Sequence, residues 1–516
     1  MPSNSEKTSA GSTAAASQGS RTAQRRAPDW VILSLACVAQ FMVVLDVSIV
    51  NVALPSIRNS LGFSASGLQW VLNAYTLTFA GFLLLGGRMA DLFGRRRIFI
   101  LGLALFTGAS LVGGFAQNQT TLIAARALQG LGGAILSPAT LTILTTTFTE
   151  PKARARAMGL WGAVAGAGGA AGALLGGVLT QELSWRWILF INVPIGVVTL
   201  VVARTFLQET RAAGERKPLD YLGAVLVTSG LTALVYGLVR TTSVGWSSWQ
   251  TLAALGLAVA LLGWFLVHES SVATDPLMPL PMFRRRNVWS ANLTMFFFAS
   301  AVFAMWYFVS LYLQNVLHYS PLRTGFAFLP QTLAIIGGAQ FASRMMIKVG
   351  PSPLLVAGNI SSAIGLFWLG EVGIHTVYWT GFFVPSVLVA LGLGLAFSPL
   401  AFAATQGVEP RQMGLASGLL NTSRQIGGAT GLAALATIAT SRTQDVLRAA
   451  GSHVGSAVTA GALTTGFTAA FRIGGVLCLA GVAAALMVPG RRQRRPSEAK
   501  AEAGAGGVPG VAVAPD

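Results

Sequence analysis

Asp46 and Arg126 are the residues of this chain whose types could take part in moving a proton in an apolar setting. Asp46 lies in Leu45-Asp46-Val-Ser-Ile-Val-Asn51-Val-Ala-Leu54-Pro55 and is the one acid read as well inside an apolar run. A carboxylate at the centre of a membrane helix costs on the order of 2.5–3.5 kcal/mol, so it must face protein or water. Burial favours its neutral form and makes reversible protonation feasible near neutral pH, with a purely structural, hydrogen-bonded aspartate as the alternative. The run Arg126-Ala-Leu-Gln129-Gly130-Leu-Gly-Gly133 places Arg126, Gln129, Gly130 and Gly133 on one helical face. There the fixed arginine charge can bias an acid, or the guanidinium can simply cap backbone carbonyls.

Other chemistries lack their residues. No lysine follows a glycine, so no Gly-Lys-Ser/Thr nucleotide loop exists. No His-Glu-x-x-His or nucleophile elbow stands out, the four histidines are scattered, and Cys37 and Cys478 sit alone in apolar runs. The expectation is a non-enzyme with no cofactor and no metal.

The elements that position Asp46 and Arg126 follow from composition. Of 516 residues, 53% are hydrophobic and 10% charged, against roughly 25% charged in soluble domains, too few to cover a water-facing shell. Mean hydropathy is +0.64. The net charge of +18 does not indicate nucleic acid, because the basic residues sit in short clusters between apolar segments of about 20 residues, the length of a bilayer-crossing helix. Fourteen spans are expected, near 30–55, 67–87, 98–116, 121–146, 157–180, 187–207, 219–240, 250–268, 288–314, 323–345, 353–371, 380–404, 414–440 and 467–488. The organisation is a disordered tail (1–29), a six-helix half (30–207), a linker with two extra helices (208–287), a second six-helix half (288–488) and a basic tail (489–516). No cleavable signal is expected, since the first apolar run is too long and holds an aspartate. Of the 35 Lys and Arg, 26 fall on the side shared by both termini and six on the other. That places both termini in the cytoplasm and the chain in the plasma or inner membrane.

An internal repeat relates the halves. Arg156-Ala-Met158-Gly159-Leu160 recurs as Arg411-Gln-Met413-Gly414-Leu415, and Gly172 and Gly176 meet Gly427 and Gly431 at the same offset. Leu61-Gly-Phe63-Ser64 matches Leu317-His-Tyr319-Ser320, and Arg88-Met89…Gly94 matches Arg344-Met345…Gly350. Like halves with a site near the midplane are the plan of secondary transporters.

The loop Gly87-Arg-Met-Ala-Asp91-Leu-Phe-Gly94-Arg95-Arg96-Arg97 allows a tight turn, with Asp91 pairing arginines or capping the next helix. It resembles the loop signature of the major facilitator superfamily, where it acts as a conformational latch. The Asp46 segment and the inserted helix pair resemble the fourteen-helix drug:proton antiporters of the EmrB/QacA type. Trp185-Arg-Trp…Phe190-Ile-Asn192-Val-Pro194 and Asn421-Thr-Ser-Arg424-Gln425-Ile-Gly427-Gly428 are similar to the same group. The resemblance implies proton coupling through Asp46 and Arg126, and a latch of Gly87, Asp91, Gly94, Arg95 and Arg96. Its antiporter signature falls on Gly162, Gly166, Gly169, Gly172 and Gly176, spaced for close helix packing, although Ala173 stands where the family usually has proline.

Polar and aromatic side chains at helical spacing make Asn73, Gln129, Trp161, Tyr307, Gln314, Asn421, Arg424 and Gln425 pocket candidates, with helix-packing glue as the alternative for each. On span 9, Asn292, Ser300, Phe303, Tyr307, Ser310 and Gln314 form one stripe. Three intramembrane arginines (Arg126, Arg424 and Arg472) against Asp46 imply a positive interior and a neutral or anionic, aromatic, amphipathic substrate. The expected function is proton-driven export of such small molecules by alternating access. The alternatives are an importer or facilitator of the same fold, or a membrane sensor or enzyme. The partners are the substrate, protons and the lipid bilayer, with any accessory export protein left open.

Overall fold

The computed structural model describes residues 28–209, 220–273, 276–278, 280–406, 408, 413–451 and 455–489; the expected tails lie almost wholly outside them. All regular structure among the described residues is helical, the arrangement that satisfies backbone polar groups inside lipid. The long helices are α1 (Asp29–Leu61), α2 (Trp70–Phe93), α3 (Arg95–Gly114), α4 (Gln119–Thr147), α5 (Pro151–Glu182), α6 (Asn192–Phe206), α7 (Tyr221–Val244) and α8 (Trp249–Val267). They continue as α9 (Arg286–Asn315), α10 (Pro321–Val349), α11 (Pro351–Leu369), α12 (Val384–Thr405), α13 (Met413–Ala450) and α14 (Ser456–Leu486). Twelve are long and apolar enough to cross a membrane by length and composition; α2 and α13 are not among those twelve.

The repeat is visible as repeated geometry. Gly62 (φ 68°) closes α1 and His318 (φ 54°) follows α9, and His318 is the one non-glycine with positive φ among the described residues. Two residues after each, Ser64 and Ser320 cap the next helical turn, accepting from the backbone N–H of Gly67 and Arg323. The turns α2–α3 and α10–α11 both pass through a glycine with positive φ, Gly94 at 102° and Gly350 at 80°. Gly172 and Gly176 lie on α1, where an added Cβ would sit 2.6 Å from Ser48 Cβ and 2.8 Å from the Ile49 carbonyl. Gly427 and Gly431 lie the same way on Phe296 and Ser300 of α9. Lipid offers no hydrophobic drive between helices, so small residues that let backbones approach decide which helices pair.

Within the first half α1 packs on α5, and α4 packs on α2 and α3; within the second, α9 packs on α13 and α14, and α12 on α10 and α11. The halves meet through α5 with α10 and through α2 with α13, a pairing the repeat exchanges. The inserted α7–α8 pair lies against α2 and α13. Hydrogen bonds between the halves gather at the end carrying Gly62 and His318. There Ser310 Oγ donates to the Asn51 carbonyl at 2.5 Å, Gln314 Nε2 to the Val52 carbonyl at 2.9 Å, and Leu322 N–H to Gln181 Oε1 at 3.3 Å.

Candidate functional site

Asp46 sits midway along α1 and is fully buried. Its Oδ2 accepts from Arg126 Nη1 of α4 at 2.5 Å, and its Oδ1 accepts from Gln129 Nε2 at 2.6 Å and from Asn192 Nδ2 of α6 at 3.3 Å. Arg126, 1% exposed, donates through Nε to the Val71 carbonyl of α2 at 3.0 Å and through Nη1 to Gln129 Oε1 at 2.6 Å. Its guanidinium also stacks 4.5 Å from the Tyr75 ring centre. Gln129 Nε2 further donates to Ser110 Oγ of α3 at 2.8 Å. The face of α4 allows this close fit, because Gly130 abuts the Tyr75 carbonyl and Gly133 the Tyr75 hydroxyl. Five helices thus deliver one acid, one guanidinium and the amides that fill their remaining lone pairs, the condition under which a buried ion pair is tolerable.

The structure brings Asp46, Arg126 and Gln129 together. Sequence reasoning missed Ser110, Tyr75 and the role of Asn192 in that group; the signal available for Asn192 was a polar residue opening an otherwise apolar helix. Gln129, expected as a pocket wall, is spent on Asp46 and Ser110.

The other pocket candidates scatter. Gln314 and Tyr307 face the first half at the closed end, Tyr307 with its hydroxyl 3.5 Å from the Ala65 carbonyl. Trp161 Nε1 donates to Thr140 Oγ1 at 3.1 Å. Asn73 and Gln425 are buried and Asn421 is exposed. Among the described residues neither amide atom of Asn73 has a hydrogen-bond partner, nor does Arg424 Nε or the Tyr75 hydroxyl. Tyr75 lies within electrostatic reach of both Arg126 and Arg424. The span 9 stripe is largely helix glue in this conformation: Asn292 Oδ1 accepts from Ser423 Oγ, and Ser300 Oγ donates to the Gly427 carbonyl.

Two expectations need correction. The positive interior of three arginines reduces to one, because Asp46 offsets Arg126 and Arg472 pairs with Glu371 at 2.9 Å, just past the end of α11, with both side chains more than half exposed. The glycine stripe of α5 is not a uniform contact face. Open space lies where a Cβ would go at Gly162 and Gly169, and the close approaches come from Gly168, Gly172 and Gly176 on α1 and Gly177 on α10. The four-residue step from 168 through 176 follows one ridge of the helix, which the mixed three- and four-residue stripe leaves; the environment of Gly166 lies outside the described ones. Asp220, at the start of α7, and Glu269, just past the end of α8, are also more than nine-tenths buried, outside the middle of any helix.

At the Gly94 turn the carboxylate in place is that of Glu209, just beyond α6. Its oxygens accept from the N–H groups of Arg96 and Arg97, each at 3.3 Å, at the positive start of α3. Arg96 Nη2 donates to the Arg204 carbonyl at 2.7 Å, and Arg88 Nη2 to the Pro276 carbonyl at 2.8 Å. A Cβ on Gly94 would strike Glu209, whereas Gly87 makes only ordinary contact with Pro138 and it is Gly86 that abuts the Ala134 carbonyl. The side chain of Asp91 lies outside the described ones, and Arg95 takes part in the polar contacts of this end.

Two like helical halves, the first of them holding a buried ion pair, have the architecture of a membrane transporter. Residues 36–432 match the Major Facilitator Superfamily, and the chain belongs to that family. It is 44% identical to the cephamycin export protein CmcT of Amycolatopsis lactamdurans over 82% of this chain and 88% of that protein. It is 40% identical to the puromycin resistance protein pur8 of Streptomyces alboniger over 90% and 92%. With the tetracenomycin C resistance and export protein of Streptomyces glaucescens it shares 35% over 82% and 78%. Among solved structures it resembles a bacterial homologue of the human lysosomal transporter Spinster, inward-facing and occupied (TM-score 0.60, 16% identity, 89% of this chain and 96% of that one). It also resembles the human organic anion transporter MFSD10 (TM-score 0.57, 18% identity, 87% and 99%).

Proposed function

We propose that this protein exports amphipathic, aromatic, neutral or anionic antibiotic-like molecules from the cytoplasm in exchange for protons, by rocking of its two halves. The observation that carries the proton part is the fully buried Asp46–Arg126 pair with its three amide and hydroxyl neighbours. Export of an antibiotic-like substrate is supported by the printed names of the relatives that handle cephamycin, puromycin and tetracenomycin C. In this reading all fourteen long helices cross the plasma membrane with both termini inside, so the Gly94 turn is cytoplasmic and the bonded Gly62 end is the closed outer gate. Two roles are assigned near the centre: Arg424, with Tyr75 within its electrostatic reach, receives the substrate, and Trp161, Asn421 and Gln425 line its route from the cytoplasm.

In the proposed cycle Asp46 holds its charge against Arg126 while the inner side is open. Once the halves have rocked to open outward, a proton arriving from outside neutralises Asp46, frees Arg126 from its counter-ion and weakens the junction of α1, α2 and α4. That biases the halves back to the inward-open arrangement, where the proton leaves to the cytoplasm. The driving force suffices, since about 2.3 kcal/mol per charge per 100 mV exceeds the roughly 1.4 kcal/mol of a tenfold substrate gradient. The test is substrate flux in proteoliposomes under an imposed pH gradient. Flux that collapses with a protonophore and with Asp46→Asn, at unchanged protein level, is expected; flux that persists in both conditions removes proton coupling.

A further inference from the structure

The inserted helix pair carries a second buried group of titratable side chains, far along the chain from Asp46. Asp220 caps the start of α7, where its Oδ1 accepts from the Gly223 N–H at 2.8 Å and from His268 Nε2 at 2.7 Å. Glu269 follows His268 at the end of α8, and its Oε2 accepts from the Met278 N–H at 2.8 Å. Asp220 is 9% exposed, His268 7% and Glu269 4%. The remaining oxygens, Asp220 Oδ2 and Glu269 Oε1, converge on the space beside Gly223, where a Cβ would touch both. The two carboxyl groups are within hydrogen-bonding reach of each other, yet among the described residues no donor serves either oxygen. Two carboxyl oxygens facing each other are both acceptors, and ionised they repel in a medium that screens poorly. A proton between them turns that repulsion into a hydrogen bond.

We propose that Asp220, Glu269 and His268 form a proton-binding site, separate from Asp46, whose occupancy fastens the inserted helix pair to the Gly94 end of the first half. The fastening runs through the segment that Glu269 holds. Met278 is bonded to Glu269; Leu277 packs with Leu85 and Ala224, against Phe82 and Met89; and the Pro276 carbonyl accepts from Arg88 of α2. Three consecutive residues therefore connect the carboxyl pair to the helix that enters the Gly94 turn. The charged and titratable groups around the pair, among the described residues, are His268 beside Glu269 on the α8 extension and, on α2, Arg88 across the Pro276–Met278 segment. α7 contributes Asp220 itself. With one shared proton the two carboxyl groups carry a single negative charge between them. Loss of that proton leaves two carboxylates in contact, drives Glu269 away from Asp220 and loosens its hold on Met278. Fastening is thus present at low pH and is lost as pH rises through the titration of the pair.

The site does not depend on the export reading, and its test needs no transported substrate. Infrared difference spectra of the purified full chain in lipid nanodiscs, titrated between about pH 5 and 9, read protonated carboxyl groups directly. In an Asp46→Asn background, which removes that carboxyl, a carboxylic C=O band that disappears on raising the pH is expected, and it is expected to be lost when either Glu269→Gln or Asp220→Asn is added. A titrating band that survives both additions, or the absence of any titrating band in Asp46→Asn, overturns the proposal. Hydrogen exchange of the peptide containing Pro276–Met278 tests the fastening. Corrected for intrinsic rates, exchange in the native protein is expected to rise by up to about tenfold per pH unit as the pH approaches the midpoint, the slope for one released proton, and to level off above it. In Glu269→Gln, whose amide can donate to Asp220 Oδ2, it is expected to stay flat. An equal rise in Glu269→Gln and native protein sinks the linkage.

Discussion

Arg126 Nη1 lies 2.5 Å from Asp46 Oδ2 while Nε of the same guanidinium donates to the Val71 carbonyl at 3.0 Å, so one side chain ties α1, α2 and α4 at a single buried point. Breaking a buried pair from one side leaves an uncompensated charge, at a cost of about 3–5 kcal/mol. Asp46→Asn and Arg126→Gln should each lower thermal stability in detergent markedly. The double variant should regain most of that loss, because it removes both charges and keeps the amide hydrogen bonds. A double-mutant cycle on unfolding midpoints checks this, with a coupling energy near zero as the contrary result. Proton-driven export should not return in the double variant, which separates the structural role of the pair from its coupling role.

The repeated glycines predict a contrast between positions of identical residue type. Gly427 lies on the Phe296 backbone, with no room for a methyl group, whereas Gly162 faces open space. Gly427→Ala should separate α13 from α9 and reduce both folded yield and transport. Gly162→Ala should be neutral or slightly stabilising, by up to about 1 kcal/mol from helix propensity. Thermal unfolding of both variants beside Gly172→Ala, which meets Ser48 Cβ at 2.6 Å, reads the order; equal effects at 162 and 427 would contradict it.

Much of the fold was legible because the bilayer enforces it: an apolar run of sufficient length becomes a helix, and a repeat that preserves Gly172/Gly427 and Gly94/Gly350 preserves the contacts and turns those residues permit. Asp46 and Arg126 were legible for the same reason, since charges in apolar helices need a partner. Gln129, Asn192 and Ser110 could not be ranked, because a polar side chain on a helix serves equally as glue, pocket wall or counter-ion support until the neighbouring helix is known. Arg472 was misread as an interior charge because sequence does not record which face of α14 points outward; in the structure its side chain is more than half exposed and pairs with Glu371 just past α11. Glu209 escaped notice since nothing local says that a residue after α6 will cap the start of α3, more than a hundred positions earlier.

Glu209 itself supports a third prediction. Its carboxylate meets two backbone N–H groups at the positive end of α3 and stands 3.6 Å from Arg97 Nε. That arrangement is an N-terminal cap supplied from another helix, worth about 0.5–2 kcal/mol by analogy with local caps. The Arg97 contact adds little, given how exposed that arginine is. Glu209→Ala should therefore loosen the Gly94 turn, seen as faster hydrogen exchange at residues 95–98. Glu209→Gln, which keeps an acceptor, should lie between Ala and the native residue. Exchange unchanged in Glu209→Ala would show that the turn is held by Arg96 on the Arg204 carbonyl instead.

The substrate prediction turns on Arg424. With Arg126 offset by Asp46 and Arg472 by Glu371, Arg424 is the remaining arginine of the three read as intramembrane. Its Nε has no hydrogen-bond partner, and it lies within electrostatic reach of Tyr75, whose hydroxyl is likewise unpartnered. A guanidinium in poorly screened surroundings favours an anionic or hydrogen-bond-accepting ligand and disfavours a cation, in the range of a few kcal/mol. Arg424→Gln should weaken transport of an anionic aromatic compound at least about tenfold, equivalent to about 1.4 kcal/mol. It should leave a neutral compound of similar size nearly unchanged and admit an ethidium-like cation better than the native protein does. Arg424→Lys, which keeps the charge but not the planar fork, should retain the anion preference with weaker binding. Competition assays in one proteoliposome preparation measure all three compounds together. Native protein that prefers the cation would overturn the assignment outright, whatever the variants do, because it would mean that Arg424 faces away from the bound molecule.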